Sequence, residues 1–168
     1  MIFVTVGFQG AFDRLIGAVD EWAAQRSRSD IFAQIGKGKY VPKHMRFADF
    51  VDPSEFRRLV EEAKLVVAHA GIGSILSSLE LGKPIVVMPR RAKFREQRND
   101  HQIATAEYFE RRGRVTVAYE AESLAEKLDH ALTLEDSERI PSQAPSQLIH
   151  NIRSFLSDRL APEDLRLK

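Results

Sequence analysis

A chain of 168 residues is long enough for one domain with a continuous core, and 43% hydrophobic against 29% charged residues is a globular balance, neither disordered nor fibrous. A formal net charge of +1 argues against a general nucleic-acid binder, while leaving room for local basic patches. The absence of cysteine excludes disulfides, thiolate metal sites and cysteine nucleophiles.

The opening residues, Met1-Ile-Phe-Val-Thr-Val-Gly7, are apolar but lack the basic leader of a signal peptide, and no segment approaches the length of a membrane span. A cytoplasmic protein is expected, with any membrane association supplied by a surface or a partner. Residues 2–6 predict a strand and Gly7-Phe8-Gln9-Gly10 a turn. Phe12, Leu15, Ile16, Val19 and Trp22 then recur at helical spacing as one apolar stripe. Residues 31–35 and 46–48 predict two more strands. In Asp52-Pro53-Ser54-Glu55 an N-cap aspartate, a proline at the first helical position and a glutamate at the third predict a helix over 54–62.

The stretch 65–89 carries the most information. Leu65 to Ala68 and Ile85 to Met88 are apolar, β-branched runs of the kind buried on both faces of a sheet. Between them, Gly71 and Gly73 remove β-carbons where the chain is expected to turn sharply into a helix. Ser74 adds a hydroxyl beside the unpaired N–H groups of that helix start, an anion site whose obvious guest is a phosphate. Gly82 and Pro84 stop the helix. His69, at the strand end, is either a proton carrier near neutral pH or a structural histidine.

Arg90, Arg91, Lys93, Arg95 and Arg98, with one acid, Glu96, form a basic loop. It is read as solvated, or as attracting an anionic acceptor, a membrane surface or a partner. A helix is predicted over about 99–112, capped by Asn99 or Asp100, then a strand over 114–118 and a helix over 122–132. Residues 133–146 are expected to be a linker. Leu148, Ile149, Ile152, Phe155 and Leu156 mark an amphipathic helix over 147–160, expected to pack back on the domain or else to dock a partner. There is no internal repeat. Strand–helix alternation predicts an α/β fold, a doubly wound parallel sheet with ligands at the carboxyl ends of its strands.

The motifs His69-Ala-Gly-Ile-Gly-Ser74, Pro89-Arg90 and Asn99-Asp-His-Gln102, with the opening Val4-Thr-Val-Gly-Phe-Gln9 and Phe12-Asp-Arg-Leu15, resemble the C-terminal, UDP-sugar-binding domain of glycosyltransferase family 28. The narrower likeness is to stand-alone small subunits, as in bacterial exopolysaccharide glycosyltransferases and the catalytic subunit of the dolichol-linked N-acetylglucosaminyltransferase. It covers roughly residues 1–132. The resemblance implies a Rossmann-like fold forming one half of a GT-B glycosyltransferase. This half would hold the UDP-sugar, and a separate membrane-attached subunit would hold a lipid-linked saccharide acceptor. The implied activity is inverting hexosyl transfer in polysaccharide or glycolipid synthesis, by a chain active only with its partner.

For the site, the resemblance implies Gly7, Gln9, Val51, Gly71, Gly73, Ser74 and Ser77 around the nucleotide and diphosphate. It implies Asn99, Asp100, His101 and Gln102 around the donor sugar, and His69 as the catalytic residue. No cofactor is implied. A metal site from His69, Asp100 and His101 is set aside, because GT-B enzymes seldom need one. Two positions depart from the family. Phe8 stands where the small subunits usually carry threonine, and Ser77 stands where the full-length lipid-intermediate enzyme has a ribose-binding carboxylate, with Glu80 one turn further on. The alternatives are a non-catalytic nucleotide-sugar-binding regulatory subunit and a dinucleotide-dependent oxidoreductase. Against the latter, Leu76 replaces the third glycine of its fingerprint.

Overall fold

The structure, a computed structural model, describes residues 1–8, 10–134, 139–141, 143 and 146–159, the last two of these by their backbone. Six strands, β1 (Ile2–Thr5), β2 (Ile31–Gln34), β3 (Arg46–Ala48), β4 (Leu65–His69), β5 (Ile85–Met88) and β6 (Thr116–Val117), form one sheet. All pairs are parallel, and the order is β3-β2-β1-β4-β5-β6. This is the doubly wound order of Rossmann folds. Helices α1 (Asp13–Gln25), α2 (Pro53–Glu62), α3 (Ile72–Glu80), α4 (His101–Glu110) and α5 (Ala121–Ala131) follow β1, β3, β4, β5 and β6 in turn.

The pleat sorts the strand residues between two core layers. Ile2, Val4, Leu65, Val67, Val86 and Met88 pack beneath α1 and α5 with Leu15, Val19, Trp22 and Leu128. Phe3, Val66, Ala68, Ile85 and Val87 face α2, α3 and α4, against Leu59, Val60, Ile75, Leu79 and Ala106. β1, β4 and β5 are covered on both faces, so apart from Thr5 and His69 they are apolar without alternation, whereas the edge strand β3 is largely exposed. Trp22 keeps its indole N–H satisfied by donating to Asp129 Oδ1 at 2.9 Å.

β2 and β3 are joined without a helix, and a buried acid organises that connection. Asp20, 1% exposed on α1, accepts the Lys43 and His44 amides and the Tyr40 hydroxyl. Burial alone would raise its carboxyl pKa, but these donors hold it below the usual value.

Predicted and observed elements agree in type and order. The N-cap at Asp52 is as expected, its carboxylate accepting the Ser54 and Glu55 amides at 2.9 Å. The helix predicted from 99 starts at His101. Asp100 turns its carboxylate to the Ala92 amide at 2.8 Å, while Asn99 Oδ1 accepts the His101 amide. One expectation is overturned. The last helix, α6 (Ser146–Arg159), does not bury its stripe against the domain, because Leu148, Ile152, Phe155 and Leu156 remain 48–56% exposed. Residues 133–146 are not wholly detached, since the Ile140 amide donates to the Leu79 carbonyl at 3.1 Å.

Candidate functional site

The chain runs outward from β1 through β2 to β3 and then returns to the other side of β1 as β4. That reversal opens a crevice between the carboxyl ends of β1 and β4, where α/β sheets bind ligands. A cleft of about 690 Å³ lies there, a volume ordinary for a small-molecule site. One wall is the loop after β1, with Gly7 and Phe8, and another is α2, with Pro53, Phe56 and Arg57. The floor is His69, Gly71, Gly73, Ser74 and Ser77. Arg90, Gln97, His101 and Gln102 close the far side. No aspartate or glutamate lines the cleft among the described residues, whereas two arginines and two histidines do.

His69 explains two of the glycines. A β-carbon on Gly7 would lie 2.6 Å from its Cε1, and one on Gly71 would lie 2.2 Å from its Nε2. The imidazole is thus seated between two glycine backbones. Gly7 carries a second requirement, since its φ of +71° is left-handed. The Thr5 hydroxyl fixes that turn by accepting the Gly7 amide at 3.1 Å. As expected, Gly71 lacks a β-carbon where the chain turns into α3, its amide donating back to the His69 carbonyl at 2.8 Å, although its φ of −87° and ψ of 134° are ordinary extended backbone. Ring clearance demands glycine there. Gly73 is different again, lying inside α3 with nothing within 4 Å of the β-carbon it lacks. Its bare backbone opens onto the cleft.

Three helices present their first residues to the cleft: Pro53 of α2, Ile72 of α3 and His101 of α4. Their macrodipoles favour an anion. They are not equivalent. Asp52 already neutralises the start of α2, whereas α3 has Gly71 at its N-cap and no side-chain cap. The first amide groups of α3 are left for something outside the helix. Ser74, 7% exposed, stands in that first turn.

His69 is largely buried, and its pKa falls from 6.5 to about 4, first because burial disfavours the imidazolium and then because the Arg90 cation repels it. The Thr5 backbone acts weakly in the opposite direction. The ring is therefore neutral at pH 7, and by strict hydrogen-bond geometry its buried Nδ1 has no partner among the described residues, the Thr5 backbone being the group that acts on it. Gln102, 4% exposed, accepts the Arg90 amide through Oε1 at 3.1 Å, which leaves its amide nitrogen to face the cleft.

Of the residues expected at the site, Gly7, His69, Gly71, Gly73, Ser74, Ser77, His101 and Gln102 meet on one cleft. Gln9 lies outside the described residues. Val51 is buried in the core rather than on the cleft wall, and Asn99 and Asp100 are exposed beside α4 without lining it. Phe50, 57% exposed, packs its ring on Phe8 at 5.5 Å. Sequence reasoning missed Phe56 and Arg57, although their place in the first turns of a well-capped helix was a usable signal. The basic loop is solvated only in part, with Lys93, Arg95 and Arg98 exposed. Arg90 is buried, Arg91 and Lys93 pair with Glu120, and Glu96 accepts a two-pronged bond from Arg14 at 2.8 and 2.9 Å. The loop is strapped to the domain.

Residues 1–158 match the glycosyltransferase family 28 C-terminal domain. The chain is 34% identical over 121 residues to the UDP-N-acetylglucosamine transferase subunit ALG13 of Mus musculus, covering 66% of this chain and 10% of that protein. It thus spans about a tenth of that relative's length. The solution structure of ALG13 superposes with a TM-score of 0.57 at 20% identity, covering 89% of this chain and 93% of that one. The calicheamicin glycosyltransferase CalG4 superposes at 0.59 and 16% identity, covering 96% of this chain and 44% of the other. The fold is accordingly that of one half of a GT-B glycosyltransferase. With the motifs, the doubly wound sheet and the matched span in agreement, the chain belongs to glycosyltransferase family 28 through its C-terminal domain.

Proposed function

We propose that the chain is the donor-binding, catalytic subunit of a two-component inverting glycosyltransferase. It moves a hexose from a UDP-sugar to a lipid-linked saccharide at the cytoplasmic face of a membrane, where a membrane-attached partner holds the acceptor. The observation that carries this reading is the uncapped start of α3, opened by Gly73 and free of carboxylates, in a crevice of family 28 architecture. Sequence identity to a UDP-N-acetylglucosamine transferase subunit supports the donor class.

The diphosphate lies against the first amides of α3 and the Ser74 hydroxyl, so charge that develops on departing UDP meets donors already in place. Ser77 lies one turn further along α3, on the nucleotide side. Gln102 and His101 meet the sugar, the Gln102 amide being oriented by its bond to the Arg90 amide. The acceptor hydroxyl attacks the anomeric carbon from the face opposite UDP. The proton of that hydroxyl passes to a base, His69 or a residue of the partner subunit; His69 enters the step neutral and able to accept it. The partner supplies the other wall of the cleft.

Calorimetric titration with UDP, UDP-N-acetylglucosamine, UDP-glucose, UDP-glucuronic acid and NAD, without added metal, tests the site. Binding of one UDP-sugar, abolished in Gly73→Val, is expected. Binding of NAD alone would overturn the reading. Turnover with the partner subunit, lost in His69→Ala, separates the catalytic reading from a regulatory subunit that binds donor without reacting it.

A further inference from the structure

Arg90 is 1% exposed at the carboxyl end of β5, yet it makes no ion pair with a described residue. Nη2 donates to the Val6 carbonyl at 2.9 Å and the Gly10 carbonyl at 3.0 Å. Nη1 donates to the Ala11 carbonyl and, at 3.3 Å, to the Glu96 carbonyl. The Phe12 ring lies 4.7 Å beneath the guanidinium. The Glu96 carboxylate acts on it electrostatically but is engaged by Arg14 and the Arg91 amide.

Three of these carbonyls belong to the chain between β1 and α1. The described residues of that segment form no helix or strand and include two glycines at positive φ, Gly7 and Gly10. Such a loop holds no single shape by itself. One planar fork ties it to the loop after β5, and the Arg90 amide ties both to α4 through Gln102. Burying a cation without a carboxylate costs several kcal/mol, only partly offset by carbonyl dipoles. An apolar side chain in the same space would leave those four carbonyls without this donor, so the fork is what the position requires. The four terminal N–H groups of Arg90 are all taken by backbone carbonyls, so its fork is committed to the fold.

We propose that Arg90 is the positioning residue of the donor site: through Val6, Gly10 and Ala11 it fixes the described residues of the loop after β1 beside the diphosphate position and leaves a positive charge behind them, without its fork touching the ligand. This rests on the donor-site reading above. The test compares full-length Arg90→Lys and Arg90→Gln with the parent by hydrogen exchange without ligand and by titration with UDP and with uridine. Arg90→Lys keeps the charge and loses the fork. Exchange across residues 6–11 is expected to rise about tenfold while β1 and β4 stay protected. UDP affinity is expected to fall about tenfold, and uridine affinity to hold within about twofold. Arg90→Gln loses the charge as well, and its UDP affinity is expected to fall about a hundredfold with uridine again little changed. If Arg90→Gln does not fold, Arg90→Lys decides alone. Equal losses for UDP and uridine, a rise in exchange spread over the sheet, or unchanged exchange at 6–11 would each overturn the proposal. If the parent chain binds no UDP, the donor reading falls and takes the ligand half of this one with it, while the exchange arm still decides the clamp.

Discussion

Substitution of Gly73 by alanine is expected to move stability and binding in opposite directions. Gly73 is the second residue of α3, and a β-carbon there meets no atom within 4 Å. Nothing in the unliganded fold therefore opposes the methyl group, while the unfolded chain loses glycine's extra freedom. A gain of about 0.5 kcal/mol follows, or a melting point about 1–2 °C higher for a chain of this size. The same methyl group stands where a diphosphate would approach the α3 amides, and a loss of about tenfold in UDP affinity, roughly 1.4 kcal/mol, is a conservative expectation. At a UDP concentration a hundred times the parent's Kd, ligand stabilises the parent by about 2.7 kcal/mol and the variant by only about 1.4. The order of the two melting curves then inverts: the variant is above the parent without UDP and about 0.8 kcal/mol below it with UDP. Differential scanning calorimetry with and without UDP reads both. A variant that melts lower without ligand, or that stays above the parent in saturating UDP, refutes the argument. Gly71→Ala is the control, since its methyl group would sit 2.2 Å from His69 Nε2 and should cost about 1–3 kcal/mol without any ligand.

His69 should titrate near pH 4 rather than 6.5, seen in the NMR shift of its Cε1 proton. Between those values the unfolded chain binds the extra proton, so stability falls as pH drops from 6.5 toward 4. The loss in the parent relative to His69→Gln is about 3 kcal/mol by urea unfolding, and a flat difference would refute a neutral ring. Glu96→Ala strands Arg14, whose side chain is only 16% exposed, and should cost about 3 kcal/mol. A change in urea midpoint equivalent to less than about 1 kcal/mol would show that the strap is dispensable. Asp20→Ala leaves three donors unsatisfied and should cost about 3 kcal/mol, with faster hydrogen exchange at the Lys43 and His44 amides. Because donors hold the Asp20 carboxyl below its usual pKa, this contribution persists at neutral pH and disappears only as acid protonates it.

Secondary structure and its order were legible in the residues because they depend on local rules. The Asp52 cap, the stop at Gly82 and the apolar runs of β4 and β5 each state their conformation within a few positions. The glycine-opened start of α3 was legible for the same reason. What the sequence could not state was which distant groups would meet. Gly71 is glycine because the His69 ring stands over it, and Gly7 because the same ring lies across the neighbouring strand. His69 is neutral because the fold buries it beside a cation 21 positions away in the chain. Arg90 looked like one more charge in a basic loop, and only the parallel alignment of β1, β4 and β5 brings its fork to the carbonyls of Val6, Gly10 and Ala11. Propensity and capping act over one or two turns of chain, whereas burial and Coulomb interactions act through space, so their outcome waits on the packing that sets the distances.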